Sequence, residues 1–199
     1  MDADNPPAIK VNGRLIQPPG EEDCRFYAFN KPLLVVTTMK DERGRKTIAD
    51  FLPPGRRLYP VGRLDYDSTG LLIITNHGEL TNRLLHPSFK VDKEYIVKIS
   101  GEVLSPAEAA QFSRGLELDD GLTSPCQLKK LPDNTYSVTI REGRKRQVRR
   151  MFAFMGRKVV SLHRIRFGPL KIGNLKAGEL RELSSEEKAA LLSSAGLPI

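Results

Sequence analysis

Apolar and polar positions along this chain alternate in two different rhythms. Leu71-Leu72-Ile73-Ile74 is an almost unbroken apolar run, closed on its N-terminal side by Asp67-Ser68-Thr69-Gly70. A short apolar run bounded by turn residues predicts a buried strand. Residues 91–100 alternate instead: Lys93, Tyr95, Val97 and Ile99 share one face, and Glu94, Ile96 and Lys98 the other. Further strands are predicted at 26–29, 34–38, 124–130, 135–141 and 158–167. Helical patterns cover 78–85, 105–114, 144–154 and 184–194, with a short helix near 47–52. Ser105-Pro106-Ala107-Glu108 and Ser184-Ser185-Glu186-Glu187 carry the capping-box spacing that starts a helix. In 144–154 the residues Val148, Met151, Phe152 and Met155 fall at i, i+3, i+4 and i+7, one apolar face that docks on a core.

Strands and helices are mixed without strict alternation. That predicts an α+β fold, a mixed and mainly antiparallel sheet with helices packed around it, and argues against a doubly wound parallel fold. Residues 1–24 read as loosely attached: a small hairpin over 9–16 with Asn12-Gly13 as its turn, then a Pro/Gly/acid linker. Residues 25–199 are expected to form one domain. No apolar run approaches the roughly 20 residues of a membrane helix, and the acidic N-terminus does not read as a signal peptide. A cytoplasmic protein without a membrane partner is expected. Cys24 and Cys126 then read as free thiols. His77, His86 and His163 lack metal-ligand spacing, so no metal is expected.

The net charge of +8 changes the picture because of where it sits. The 26 residues 141–166 hold ten Lys/Arg against one acid, Glu142, while the remainder of the chain is close to neutral. Concentrated positive charge makes a local field suited to a polyanion. Lys145, Arg146 and Arg150 lie off the apolar face of the 144–154 helix and are expected to meet solvent or phosphate. Arg149 sits at its edge, where a partly buried guanidinium reaches a carboxylate. One carboxylate needs such a partner. Asp65, in Gly62-Arg63-Leu64-Asp65, lies just before the apolar strand, where an unpaired charge is costly unless it faces a cleft. Asp67 is a second nearby acid, with a ready role in the turn. Arg63 has two readings, a phosphate contact or a brace for the loop.

Gly62-Arg63-Leu64-Asp65, Lys93-Glu94-Tyr95 and the block 142–151, Glu-Gly-Arg-Lys-Arg-Gln-Val-Arg-Arg-Met, occur in that order. Phe29-Asn30-Lys31-Pro32, Leu85-His86-Pro87, Asp120-Gly121-Leu122-Thr123 and 164–168, Arg-Ile-Arg-Phe-Gly, accompany them. Together they resemble the RsuA/RluB family of ribosomal RNA pseudouridine synthases, over residues 25–183. His77 departs from the Asp or Asn usual after Thr-Asn.

The resemblance implies the pseudouridine synthase catalytic fold and isomerisation of a uridine in ribosomal RNA, most like the large-subunit subgroup. Asp65 would be the essential catalytic residue, Tyr95 would stack on the base, and Arg149 would pair with Asp65. Val148 and Leu64 would wall the base pocket. Arg63, Lys93, Arg144, Lys145, Arg146 and Arg150 would bind RNA. Nothing is oxidised or consumed in such a reaction, so no cofactor is expected. Ribosomal RNA is the expected partner and a monomer the expected state. Relatives commonly carry an S4-type RNA-binding domain, of which residues 9–20 resemble only the tail. The resemblance leaves open whether Asp65 attacks the sugar or abstracts its proton. A catalytically silent RNA-binding or ribosome-assembly factor built on the same basic helix is the alternative.

Overall fold

A computed structural model describes residues 9–11 and 14–16 by their backbone, and residues 24–55 and 57–199 in full. β1 (Ile9–Val11) and β2 (Arg14–Ile16) pair antiparallel, as the hairpin reading requires. The Asn12-Gly13 turn and the linker lie outside the described residues.

The central sheet follows from the apolar runs. β5 (Thr69–Thr75) holds Leu71, Leu72, Ile73 and Ile74, each at 0% exposure. Leu72 and Ile74 enter one core cluster, and Leu71 and Ile73 the other, so the strand is covered on both faces. Burial of that kind is worth about 1.5–3 kcal/mol per side chain. β3 (Phe26–Lys31) lies antiparallel on one side of β5. β11 (Lys158–Phe167) lies parallel on the other. Outward from β11 follow β6 (Lys93–Ser100), β10 (Thr135–Ile140) and β9 (Gln127–Leu131), all antiparallel. The sheet is therefore mixed and mainly antiparallel, with its parallel contact in the middle. Short strands complete it: β4 (Tyr59–Pro60) on β5, β12 (Leu170–Lys171) on β11, and β13 (Leu180–Glu182) on β3. β7 (Glu117–Leu118) and β8 (Gly121–Leu122) form a separate hairpin.

Helices cover both faces. α2 (Pro106–Arg114) and α3 (Gln147–Phe154) bury Phe112, Val148, Met151 and Phe152 in one cluster. α1 (Gly78–Leu85) and α4 (Ser185–Ser194) bury Leu80, Leu84 and Leu191 in the other. Ser105 and Ser184 cap α2 and α4 through the predicted capping boxes.

Two predicted elements differ. Residues 34–38 are not a strand: Leu34 takes a left-handed φ of 61° and gives its N–H to Tyr66 O at 3.0 Å. Only Val36 makes an isolated bridge, to Thr47. The backbone groups of this segment are spent on the neighbouring loop rather than on a ladder. The 144–154 helix begins three residues late, because Arg146 adopts φ 52°, ψ 29° and α3 starts at Gln147.

Register aligns one row across the sheet. Lys31 opposes Gly70, Gly70 opposes Arg164, Arg164 opposes Tyr95 and Tyr95 opposes Val138. Gly70 makes that row possible: at φ 110°, a Cβ there would lie 2.3 Å from Arg164 O. Gly70→Ala should therefore lower stability by about 2 kcal/mol or more, through strain and overpacking. Urea melts of the two proteins check this, and an unchanged midpoint would refute the tight β5–β11 contact.

Candidate active site

The loop before β5 enters the site over Gly62, whose φ of 76° suits a residue without Cβ. It is fixed by backbone contacts. Thr37 Oγ1 donates to Leu64 O at 2.7 Å, Leu34 N–H donates to Tyr66 O, and Ser68 N–H donates to Asp65 O at 3.0 Å. The bracing segment is itself held from below. Lys31, at 0% exposure, donates its Nζ to Pro32 O at 2.9 Å and Val35 O at 2.8 Å. Burial pulls the Lys31 pKa from 10.5 down to about 8, against the opposing pull of Asp65 and Asp67. Sequence reasoning passed over Lys31 as part of a matching tetrapeptide; a lysine next to an apolar strand was the available signal.

A cleft of about 870 Å³ opens between this loop, β6, β11 and the start of α3. It brings together Asp65, Tyr95, Val148, Leu64, Arg63, Lys93, Arg144, Lys145 and Arg146. Among the expected site residues, Arg149 and Arg150 are not on its walls. Tyr95 is 8% exposed, and Val148 and Leu64 are buried. The Asp65 side chain keeps 35% of its exposure.

The pairing of acids and arginines differs from the expected one. Arg149 does not pair with Asp65. It donates Nη2 to Asp67 O at 2.6 Å and Nη1 to Val159 O at 3.2 Å, with Nε 3.4 Å from the Asp67 carboxylate. Its edge position on α3 buries it, as expected, but aims it at the turn two residues past Asp65. Arg146, expected to point to phosphate, forms a bidentate fork on Asp67 at 2.9 and 2.8 Å. Its Nη1 is 3.9 Å from Asp65 Oδ2. The cause is its left-handed backbone: it precedes the first turn of α3 instead of lying on its outer face. The fork holds the Asp67 carboxyl below its usual range and raises Arg146. Asp67, read from sequence as a turn residue, is thus the acid that ties the loop to α3.

Two other arginines are corrected in the same sense. Arg144 donates to Asp120 O, Gly121 O and Leu122 O, and Arg150 pairs with Asp119 and Asp120. Both staple the β7–β8 hairpin to the head of α3 rather than pointing outward. Asp119 and Asp120, which neutralise them together with Glu142 beside Arg144, lie 24 to 31 positions earlier in the chain, where no local pattern announces them. Gln147, 3% exposed, also went unread; its amide donates to Glu142 and so closes the 142–147 loop. Arg63 is exposed, as is Lys145, and neither has a carboxylate partner among the described residues. Lys93 is half-buried, with Nζ 3.2 Å from Val91 O and 5.4 Å from the centre of the Phe167 ring; burial first, then the Arg164 charge, bring its pKa to about 8. Among the described residues no three His, Cys, Asp or Glu side chains gather as a metal group, and no helix is long and apolar enough to cross a membrane.

The family model "RNA pseudouridylate synthase" matches residues 25–154. "Ribosomal large subunit pseudouridine synthase B" of Bacillus subtilis is 38% identical over 187 residues, covering 90% of this chain and 75% of that protein. "Dual-specificity RNA pseudouridine synthase RluF" of Escherichia coli is 36% identical over 179 residues, covering 90% of this chain and 61% of that protein. A solved structure described as "Crystal structure of pseudouridylate synthase" superposes with a TM-score of 0.79 at 33% identity, covering 85% of this chain and 74% of that one.

Lys31 offers a test of how the loop is held. Below pH 8 it is charged in both folded and unfolded chains, and the folded state carries the burial penalty. Between about 8 and 10.5 the unfolded chain binds a proton that the folded chain has lost, so stability rises with pH in that window. The stability of wild type relative to Lys31→Met, from urea melts, should increase from pH 8 to pH 10. A difference independent of pH would remove the buried ammonium from the account.

Proposed function

Because this chain belongs to the RNA pseudouridylate synthase family, we propose that it isomerises a uridine of large-subunit ribosomal RNA to pseudouridine, with Asp65 as the essential carboxylate and the target nucleotide flipped into the cleft. One observation carries the assignment to Asp65. Of the two acids on the loop, Asp67 is held by the Arg146 fork and by Arg149 and is not on the cleft wall, while Asp65 lines the cleft with no close hydrogen-bonded fork on its carboxylate. It is the acid left open to a substrate, with a guanidinium at 3.9 Å to steady its charge.

The cleft volume lies within the range of about 300–1,000 Å³ usual for ligand pockets. Flipping a nucleotide out of its stack costs a few kcal/mol. Stacking of the base on Tyr95 would return about 1–3 kcal/mol of that. Val148 and Leu64 supply apolar walls that exclude water around the acid. Arg63 and Lys145, exposed and without acid partners, are the cations placed to take phosphates at the rim. The large-subunit assignment rests on the Bacillus subtilis relative.

Mapping pseudouridines in ribosomal RNA from cells with and without the gene tests the proposal directly: one large-subunit site should vanish, and an identical map would reject it. Asp65→Asn should cut pseudouridine formation by about 10²–10⁴-fold or more while RNA affinity changes only a few-fold. Comparable turnover by that variant would defeat the assignment. Replacing Arg63 and Lys145 together by Ala should lower the log–log salt slope of RNA binding by roughly 1.4–1.8. An unaltered slope would mean that neither touches phosphate.

A further inference from the structure

Arg164 is the largest of the fully buried side chains among the described residues, at 2% exposure. It donates Nε to Leu71 O at 2.7 Å, and its guanidinium stands 5.1 Å over the Phe167 ring. Its Nη2 has no hydrogen-bond partner, and no carboxylate pairs with it among the described residues. A buried donor left without a partner is costly, the more so on a charged group. Arg164 also lies on the wall of the cleft that holds Asp65 and Tyr95. It is the direct cross-strand neighbour of Tyr95 on β6, and on its other side Gly70 presents no side chain to cover it. A register shift between Arg164 and Arg166 marks the strand at this point. The second cation beside Phe167, Lys93, is likewise a donor without an acceptor role.

Such a floor offers donors only, next to a ring suited to stacking. We infer that the unpartnered edge of Arg164 receives a keto oxygen of the target uracil and stabilises the negative charge of the base as it leaves the ribose; this rests on the isomerase reading above. The bookkeeping of the step is closed. The C1′–N1 bond breaks and its electron pair stays with the base, spread over N1, O2 and O4. The sugar is balanced by Asp65, which either bonds C1′ or takes the C2′ proton. C5 then bonds C1′ as any Asp65–C1′ bond breaks and returns its electron pair to the carboxylate, the C5 proton leaves, any proton taken from C2′ returns, and N1 takes up a proton, giving an isomer of the starting nucleotide. A fixed cation in a site shielded from water stabilises that transient anion far more than it would in bulk solvent. A donor floor also disfavours cytosine, which presents an amino group where uracil presents O4. Phosphate is a poorer occupant, because Arg164 lies behind the base position while Arg63 and Lys145 stand exposed at the rim.

The test compares wild type, Arg164→Lys and Arg164→Met on two in vitro transcripts of large-subunit ribosomal RNA, one with uridine and one with 5-fluorouridine. Fluorine makes the departing base a more stable anion, so it needs less help. Single-turnover loss of the target nucleoside is read by mass spectrometry, with thermal melts and RNA affinity alongside. On uridine RNA, Arg164→Met should be slower by about 10²–10³-fold, with Arg164→Lys in between. On fluorinated RNA the same defect should shrink at least tenfold. Defects of equal size on both transcripts would mean a structural role and overturn the inference. If Arg164→Met loses its cooperative melt, Arg164→Lys decides alone, with a smaller defect that also shrinks. Wild type inactive on uridine RNA that does contain the mapped site would instead sink the isomerase reading itself.

Discussion

The cleft depends on one ionic contact, the grip of Arg146 and Arg149 on the turn at Asp67. Two guanidiniums from the head of α3 converge on one carboxylate and one carbonyl of the loop before β5. Charge-assisted, bidentate bonds of this kind fix orientation as well as distance. The grip closes a contact between segments about 80 residues apart and leaves Asp65 beside it unsaturated. The neighbouring acid therefore does the holding, which frees the proposed reacting acid from doing so.

The same economy runs through the basic segment. Arg141, Arg144, Arg150, Arg157 and Arg166 each meet an acid. The charge count of residues 141–166 thus overstates what a polyanion would meet. Most of these arginines are internal staples that hold the β7–β8 hairpin, the 142–147 loop and the strands in place. Exposed pairs of this kind are individually weak, worth about 0–1 kcal/mol. Their value here lies in geometry: they set where α3 begins, and so where Arg146 points.

Much of the architecture was legible in the sequence because it is periodic. The apolar run at Leu71–Ile74, the alternation through Tyr95 and the face of Val148, Met151 and Phe152 each name an element and its buried side, and the structure agrees with all three. Capping boxes at Ser105 and Ser184 fixed helix starts to the residue. The parts that were missed are those without a period. β4, β7, β8, β12 and β13 are two or three residues long, too short for any rhythm. The left-handed Arg146 is non-glycine, so nothing in its identity signals the turn. Partner choice was the weakest reading. An acid and a base far apart in sequence meet only through the fold, and a shift of two residues, from Asp65 to Asp67, lies beyond what spacing can resolve. The gathering of Asp65, Tyr95 and Val148 on one cleft follows the ordered set of motifs, whereas the guanidinium beside Asp65 belongs to Arg146 and not to Arg149.

The placement of β11 has a consequence for how the molecule comes together. β11 is the late strand that sits between β5 and β6, two strands made much earlier. Without β11, no strand pairing among the described residues joins the ribbon of β3, β4 and β5 to that of β6, β10 and β9. Insertion of β11 zips them into one sheet and in the same motion brings Arg164 between Gly70 and Tyr95. Long-range pairings of this type form slowly, because chain entropy must be spent before any contact rewards it. A chain that stops short of β11 therefore carries Asp65, Tyr95 and the 142–151 block but neither Arg164 nor the sheet that brings them onto one cleft.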